Sequence, residues 1–199
     1  MEQIPSTFAE DLDKSLYSPA TYVQENALVK AREVWDKLAV EAEAQGSRPA
    51  DMVIGSDTVV SVDDRILEKP ADAEAAMAML CSLSGRQHRV YSGVAILHRV
   101  ADDSPLDGTP DPTLLLRTAG GICCAEQAFV ECTEVEFAEI SEAEIAAYIA
   151  TGEPFDKAGG YGIQAAAGAW VRKIDGDYYN VMGLPLHRTC AAIAALIKA

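Results

Sequence analysis

The stretch Met52-Val53-Ile54-Gly55-Ser56-Asp57-Thr58-Val59-Val60-Ser61-Val62-Asp63-Asp64-Arg65-Ile66-Leu67-Glu68-Lys69-Pro70 decides how the chain is read. Met52 to Gly55 is a short apolar run that predicts a buried strand, and Val59 to Val62 predicts a second. Asp64-Arg65 is expected to turn the chain between Val62 and Ile66. On the amino-terminal side, Ser18-Pro19 supplies a cap and a first-position proline. Val23, Ala27, Ala31, Val34, Trp35 and Leu38 then recur at helical spacing until Gly46. On the other side, a helix is expected from about Asp72 to Leu83, closed by Gly85.

Further out, Arg89 to Leu97 and Ala128 to Phe137 are rich in β-formers and read as strands. Ser141-Glu142-Ala143-Glu144 is a capping box that opens a helix through Ile149, and a last helix follows Pro185. Between the two later strands, Val100 to Gly121 holds three prolines and three glycines and reads as a long hairpin loop. Strands and helices interleave without an internal repeat, so the class is α/β.

Composition narrows the function. The 199 residues carry 16 Lys and Arg against 31 Asp and Glu, a net charge of −15. Such a surface repels phosphate backbones and anionic membranes, which argues against a nucleic-acid or membrane partner. A single nucleotide in a locally basic, metal-assisted pocket remains compatible. No apolar run approaches the roughly 18 residues of a spanning helix. Met1-Glu2-Gln3-Ile4-Pro5 lacks a signal pattern, and the five cysteines lack a C-x-x-C pair. A reducing, cytoplasmic compartment is expected.

Three segments carry residues that packing alone does not require. Asp57 follows an apolar run and is expected at the carboxyl end of a strand, where open α/β sheets place ligands. Read locally, it is more simply a turn aspartate satisfying backbone amides. Lys69, between an apolar strand and Pro70, could hold a phosphate as a point charge, or be one half of an exposed Glu-Lys pair. Gly152 to Gln164 contains four glycines with Asp156 and Lys157, a composition suited to cradling an anion. Its spacing fits neither a Walker A loop nor a dinucleotide fingerprint. His88, His98 and His187 have no metal-ligand spacing and read as surface or packing residues.

Taken in order, seven segments resemble the Maf family of nucleoside triphosphate pyrophosphatases. They are Pro5 to Glu10, Gly55 to Val60, Ile66 to Pro70, Leu83 to Arg86, Val90 to Ala95, Asp156 to Gln164 and Asn180 to Pro185. The resemblance implies one Maf-like domain over residues 1–199, with 100–121 as an inserted loop. It also implies an inosine-triphosphate-pyrophosphatase-like fold, a long mixed sheet with two lobes around a cleft. The implied activity is hydrolysis of a nucleoside triphosphate to the monophosphate and pyrophosphate with Mg²⁺ or Mn²⁺.

By position, Asp57 would be the proton acceptor, and Asp57 with Glu10 would be the metal ligands; base and ligand roles for Asp57 stay open. Thr58 and Gln164 match the specificity positions of the branch that prefers dTTP and UTP. Glu10, Lys69 and Lys157 match further substrate-binding positions. The sister branch, which prefers 7-methyl-GTP, differs at both specificity positions.

The family also opens with a strand and a Ser-x-Ser-Pro-Arg-Arg turn whose arginine contacts the substrate. These 199 residues hold no such run, and Arg32 falls in a helix. From that follow the expectations of an amino-terminally incomplete domain, weakened catalysis or a purely regulatory nucleotide-binding role, and self-association, at its simplest a homodimer.

Overall fold

The computed structural model describes residues 2–100, 115–119 and 122–198. Helix α1 spans Pro19–Gln45. It starts where the Ser18 hydroxyl accepts the Thr21 amide at 3.2 Å, and stops before Gly46 at φ 59°. Strand β1 runs unbroken over Met52–Val62. This corrects the expectation of two strands with Asp57 at the end of the first. Ser56-Asp57-Thr58 holds no turn-forming pair, so the β-branched residues on its carboxyl side carry the strand through it.

The turn falls one residue earlier than expected. Asp63 and Asp64 take φ of 51° and 58°, and Val62 pairs with Arg65, giving a two-residue hairpin into β2, Arg65–Leu67. Aspartate tolerates this left-handed backbone better than the arginine would.

Helix α2, Ala73–Leu83, is capped by the Asp72 carboxylate accepting the Ala75 amide at 2.8 Å. Strands β3, Gln87–Arg99, and β5, Ile122–Phe137, are both longer than their apolar cores suggested. Strand β4, Leu115–Ala119, pairs antiparallel with β5 from Leu115↔Glu126 to Ala119↔Ile122. The stretch expected to be one unstructured loop therefore contains a strand; its residues 101–114 and 120–121 lie outside the described ones. Helix α3, Glu142–Ile149, shows the expected capping box.

Strand β6, Val171–Asp175, was not anticipated; it pairs antiparallel with β5, and its charged, half-exposed residues give no clear alternation. Helices α4, Tyr178–Val181, and α5, Leu186–Lys198, close the chain. The sheet order is β2-β1-β3-β5-β4, with β6 also on β5. The class is mixed α/β, as the sequence predicts.

The chain forms two compact units. The first comprises Met1–Leu12, Gln24–Asp57 and Gly93–Phe129. Its core is Ala27, Ala31, Val34 and Trp35 of α1 against Val53, Ala95, Leu97 and Cys124. The second comprises Asp13–Val23, Thr58–Ser92 and Val130–Ala199. Its core gathers Val60, Leu80, Leu83, Val90, Phe137, Ile145 and Tyr148 among others.

Candidate active site

In the first unit, Gly55 decides how near α1 can lie to β1. A Cβ on Gly55 would stand 2.6 Å from the Ala27 carbonyl oxygen and 2.9 Å from Ala31 Cβ. Only a residue without a side chain permits that approach. Asn26 and Lys30, one helical turn apart on α1, are thereby brought onto Asp57 two residues further along β1.

Asn26 Nδ2 donates to Asp57 Oδ2 at 3.0 Å, and Lys30 Nζ donates to Asp57 Oδ1 at 2.7 Å. Lys30 Nζ also lies 2.7 Å from Glu10 Oε1. Asp57 is 8% exposed and Asn26 fully buried, so this is a carboxylate held by groups from another element. The turn-aspartate reading is therefore set aside. Burial works against the charge on Lys30, but Asp57 and then Glu10 outweigh it and hold its pKa above the ordinary lysine value.

Glu10 is delivered by a segment with almost no regular structure, and Glu33 of α1 holds that segment. The Glu33 carboxylate accepts the Ser6 and Thr7 hydroxyls, together with the Thr7 amide at 3.1 Å and the Phe8 amide at 3.2 Å. These donors, led by the Ser6 hydroxyl, lower the Glu33 pKa to about 2. Glu10 itself takes φ 53°, a conformation that costs a non-glycine residue about 1–2 kcal/mol. The clamp on residues 6–8 supplies local bonding that offsets this strain.

In the second unit, Thr58 is half-buried, and its Oγ1 lies 2.8 Å from Ser92 Oγ. The glycine-rich segment is fixed against Val60 and Glu68. Gly159, at φ 69°, would put a Cβ 2.5 Å from Val60 Cγ2, and its amide donates to the Glu68 carbonyl at 3.0 Å. This ties the segment to the strand end that carries Lys69. Lys157 Nζ is 2.8 Å from Asp156 Oδ2; that pairing first, and Lys69 more weakly, lowers the Asp156 pKa. Lys69 and Gln164 are exposed.

The structure thus brings Asp57 and Glu10 together within the first unit. Within the second it draws Lys69 and Lys157 toward Asp156. Asn26, Lys30 and Ser92 were not read from the sequence. Asn26 and Lys30 interrupt the apolar face marked by Val23, Ala27 and Ala31, and two polar residues four apart on a buried face were the available signal. Among the described residues no three His, Cys, Asp or Glu side chains group as a metal cage.

The family model for "Maf-like protein" matches residues 1–196. A human protein named "Probable bifunctional dTTP/UTP pyrophosphatase/methyltransferase protein" is 42% identical over 98% of this chain, which spans 28% of that protein's length. Proteins named "dTTP/UTP pyrophosphatase" from a Geobacillus species and from Thermococcus onnurineus are 41% and 42% identical. Their alignments cover 94% and 92% of this chain, and 84% and 79% of those proteins. A match of this extent, on a chain whose Glu10 and Asp57 meet at one lysine, has one meaning: the chain belongs to the Maf-like protein family.

Proposed function

We propose that this chain hydrolyses dTTP and UTP to the monophosphate and pyrophosphate. The activity is the one named for its relatives, and the convergence of Glu10, Lys30 and Asp57 carries it to this chain. A triphosphate brings about four negative charges to a protein of net charge −15, so local cations must receive it. Lys69 and Lys157 of the second unit supply them. Cleaving the α–β anhydride needs an in-line water and screening of the leaving pyrophosphate. Asp57 takes the proton of that water, and Asn26 holds the other carboxylate oxygen so that Oδ1 keeps its direction. Thr58 and Gln164 contact the base; the amide of Gln164 can donate to O4 and accept from N3–H of uracil or thymine.

The residues fit a divalent cation. Glu10 and Asp57 offer hard carboxylate oxygens at one point, and buried Asn26 adds an Oδ1 with no hydrogen-bond partner. Mg²⁺ or Mn²⁺ suits such a set, with water and phosphate oxygens completing the shell. When bound, the ion would screen the phosphates and polarise the attacked centre. Lys30 compensates the same two carboxylates.

A cytoplasmic setting and a free nucleotide as partner complete the reading. The five cysteines form no disulfide, which suits a reducing compartment, and no helix among the described residues is long and apolar enough to cross a membrane. The test is pyrophosphate release from dTTP, UTP, GTP and 7-methyl-GTP, with Mg²⁺ or Mn²⁺. Turnover of dTTP and UTP should exceed that of both purines by about tenfold or more. Purine preference, or no release from any of the four, contradicts the reading.

A further inference from the structure

Both oxygens of the Glu68 carboxylate are taken, and neither goes to the lysine beside it. Tyr22, fully buried in the first turn of α1, donates its hydroxyl to Glu68 Oε1. Lys14, in the short helical turn Lys14–Leu16, pairs its ammonium with Glu68 Oε2. The backbone of Glu68 is held as well, since its carbonyl accepts the Gly159 amide at 3.0 Å. All of these groups belong to the second unit.

Lys69, next in sequence, is exposed and makes no ion pair among the described residues. Glu68 is the counter-ion nearest to it along the chain, and adjacent residues here do pair: Asp156 Oδ2 and Lys157 Nζ lie 2.8 Å apart. A lysine closed on its own neighbour must break that pair before it meets a phosphate. Without Lys14, Glu68 keeps one oxygen on Tyr22 and is free to turn the other to Lys69. An incoming triphosphate then meets an occupied lysine and an uncompensated negative charge.

We propose that Lys14 and Tyr22 hold Glu68 away from Lys69, leaving the Lys69 ammonium free to receive the triphosphate. Lys14 is then a positioning residue for substrate affinity, acting through Glu68, an inference that rests on reading Lys69 as a phosphate-binding residue.

The experiment measures kcat and KM for dTTP at low ionic strength, with thermal unfolding as a folding control. The variants are Lys14→Met, Glu68→Gln, these two combined, and Lys69→Ala. Lys14→Met should raise KM about threefold to fivefold with kcat nearly unchanged, the range of a partly exposed ion pair. Salt should shrink that difference. Glu68→Gln alone should leave KM nearly unchanged, because the charge it removes is already neutralised and the amide still accepts from Tyr22. Added to Lys14→Met, Glu68→Gln should bring KM back to the parent value. This non-additivity marks a shield, because a general change of charge near the substrate would shift KM by the same factor in both backgrounds.

If Lys69→Ala leaves KM unchanged, the phosphate reading of Lys69 fails and the inference with it. If Lys69→Ala raises KM while folded Lys14→Met does not, Lys69 binds phosphate but the shield is refuted. A rise in Lys14→Met that Glu68→Gln fails to reverse also overturns it. Should Lys14→Met not fold, Glu68→Gln alone decides: an unchanged KM upholds the shield, and a KM lowered about threefold or more shows that Glu68 already burdens Lys69 in the parent. A parent that releases no pyrophosphate from dTTP removes the proposed activity and the inference together.

Discussion

Lys30 Nζ lies 2.7 Å from Asp57 Oδ1, joining a helix residue to one in mid-strand across 27 positions of sequence. The same nitrogen reaches Glu10 at 2.7 Å. Two carboxylates on one half-buried ammonium form a compact charged site whose parts come from three separate segments. Asp57 is too well enclosed for its partners to be incidental surface pairs, whose worth is usually below about 1 kcal/mol.

The approach of α1 to β1 should be sensitive to one methyl group. Gly55→Ala places a carbon 2.6 Å from the Ala27 carbonyl oxygen, and the helix must move to admit it. Overpacking of this kind costs about 1–3 kcal/mol. The melting temperature should drop by roughly 2–10 °C at this chain length. Pyrophosphate release should fall further than stability does, because Lys30 is carried away from Asp57. A variant as stable and as active as the parent would show that the close approach is not needed.

Glu33 gives a pH-dependent test of the clamp on residues 6–8. Its carboxyl is lowered to about 2 in the folded chain, chiefly by the Ser6 hydroxyl, against an ordinary value of 4.5. A depressed carboxyl contributes stability that is present above the unfolded value and is lost as pH falls through the folded one. Glu33→Gln should therefore unfold at lower urea than the parent near neutrality. That gap should close between about pH 4.5 and about pH 2. A gap independent of pH in that window would remove the carboxylate from the account.

His88 should act in the opposite chemical sense with the same direction in pH. It is 2% exposed, its Nε2 lies 2.7 Å from the Tyr161 hydroxyl, and burial lowers its pKa to about 4. Between about 6.5 and about 4 the unfolded chain binds a proton that the folded chain refuses, so stability falls as pH drops through that range. The full effect is about 3 kcal/mol. His88→Gln removes the titrating group and should flatten the urea midpoint over this interval. A parent and variant with parallel pH profiles would contradict the assignment.

Much of this is legible in the sequence. Capped helices announced themselves, because Ser18-Pro19, Asp72 and Ser141 with Glu144 state their bonding locally. Asp57 stood out as a residue, whereas Glu10 and its pairing with Asp57 as a metal ligand came only from the family resemblance. Their meeting depends on a missing side chain at Gly55 and on a helix that brings Lys30 over the strand, and neither leaves a local pattern. The continuity of β1 through Asp57 was missed for a related reason. A polar triplet inside a strand looks like a break until the partners that satisfy it are known. Strand β6 was hidden by its short, charged edge sequence, and β4 by the prolines and glycines around it.

Asp57→Asn tests most directly whether Asp57 takes the proton of the attacking water. The substitution keeps shape and the bond from Asn26 while removing the base. The measurement is pyrophosphate release from dTTP by parent and variant, both shown folded by thermal unfolding and both shown to bind nucleotide. Loss of general-base action should lower turnover about 10²–10⁴-fold while leaving nucleotide affinity within a few-fold. A folded Asn variant that hydrolyses dTTP within threefold of the parent rate would contradict the account.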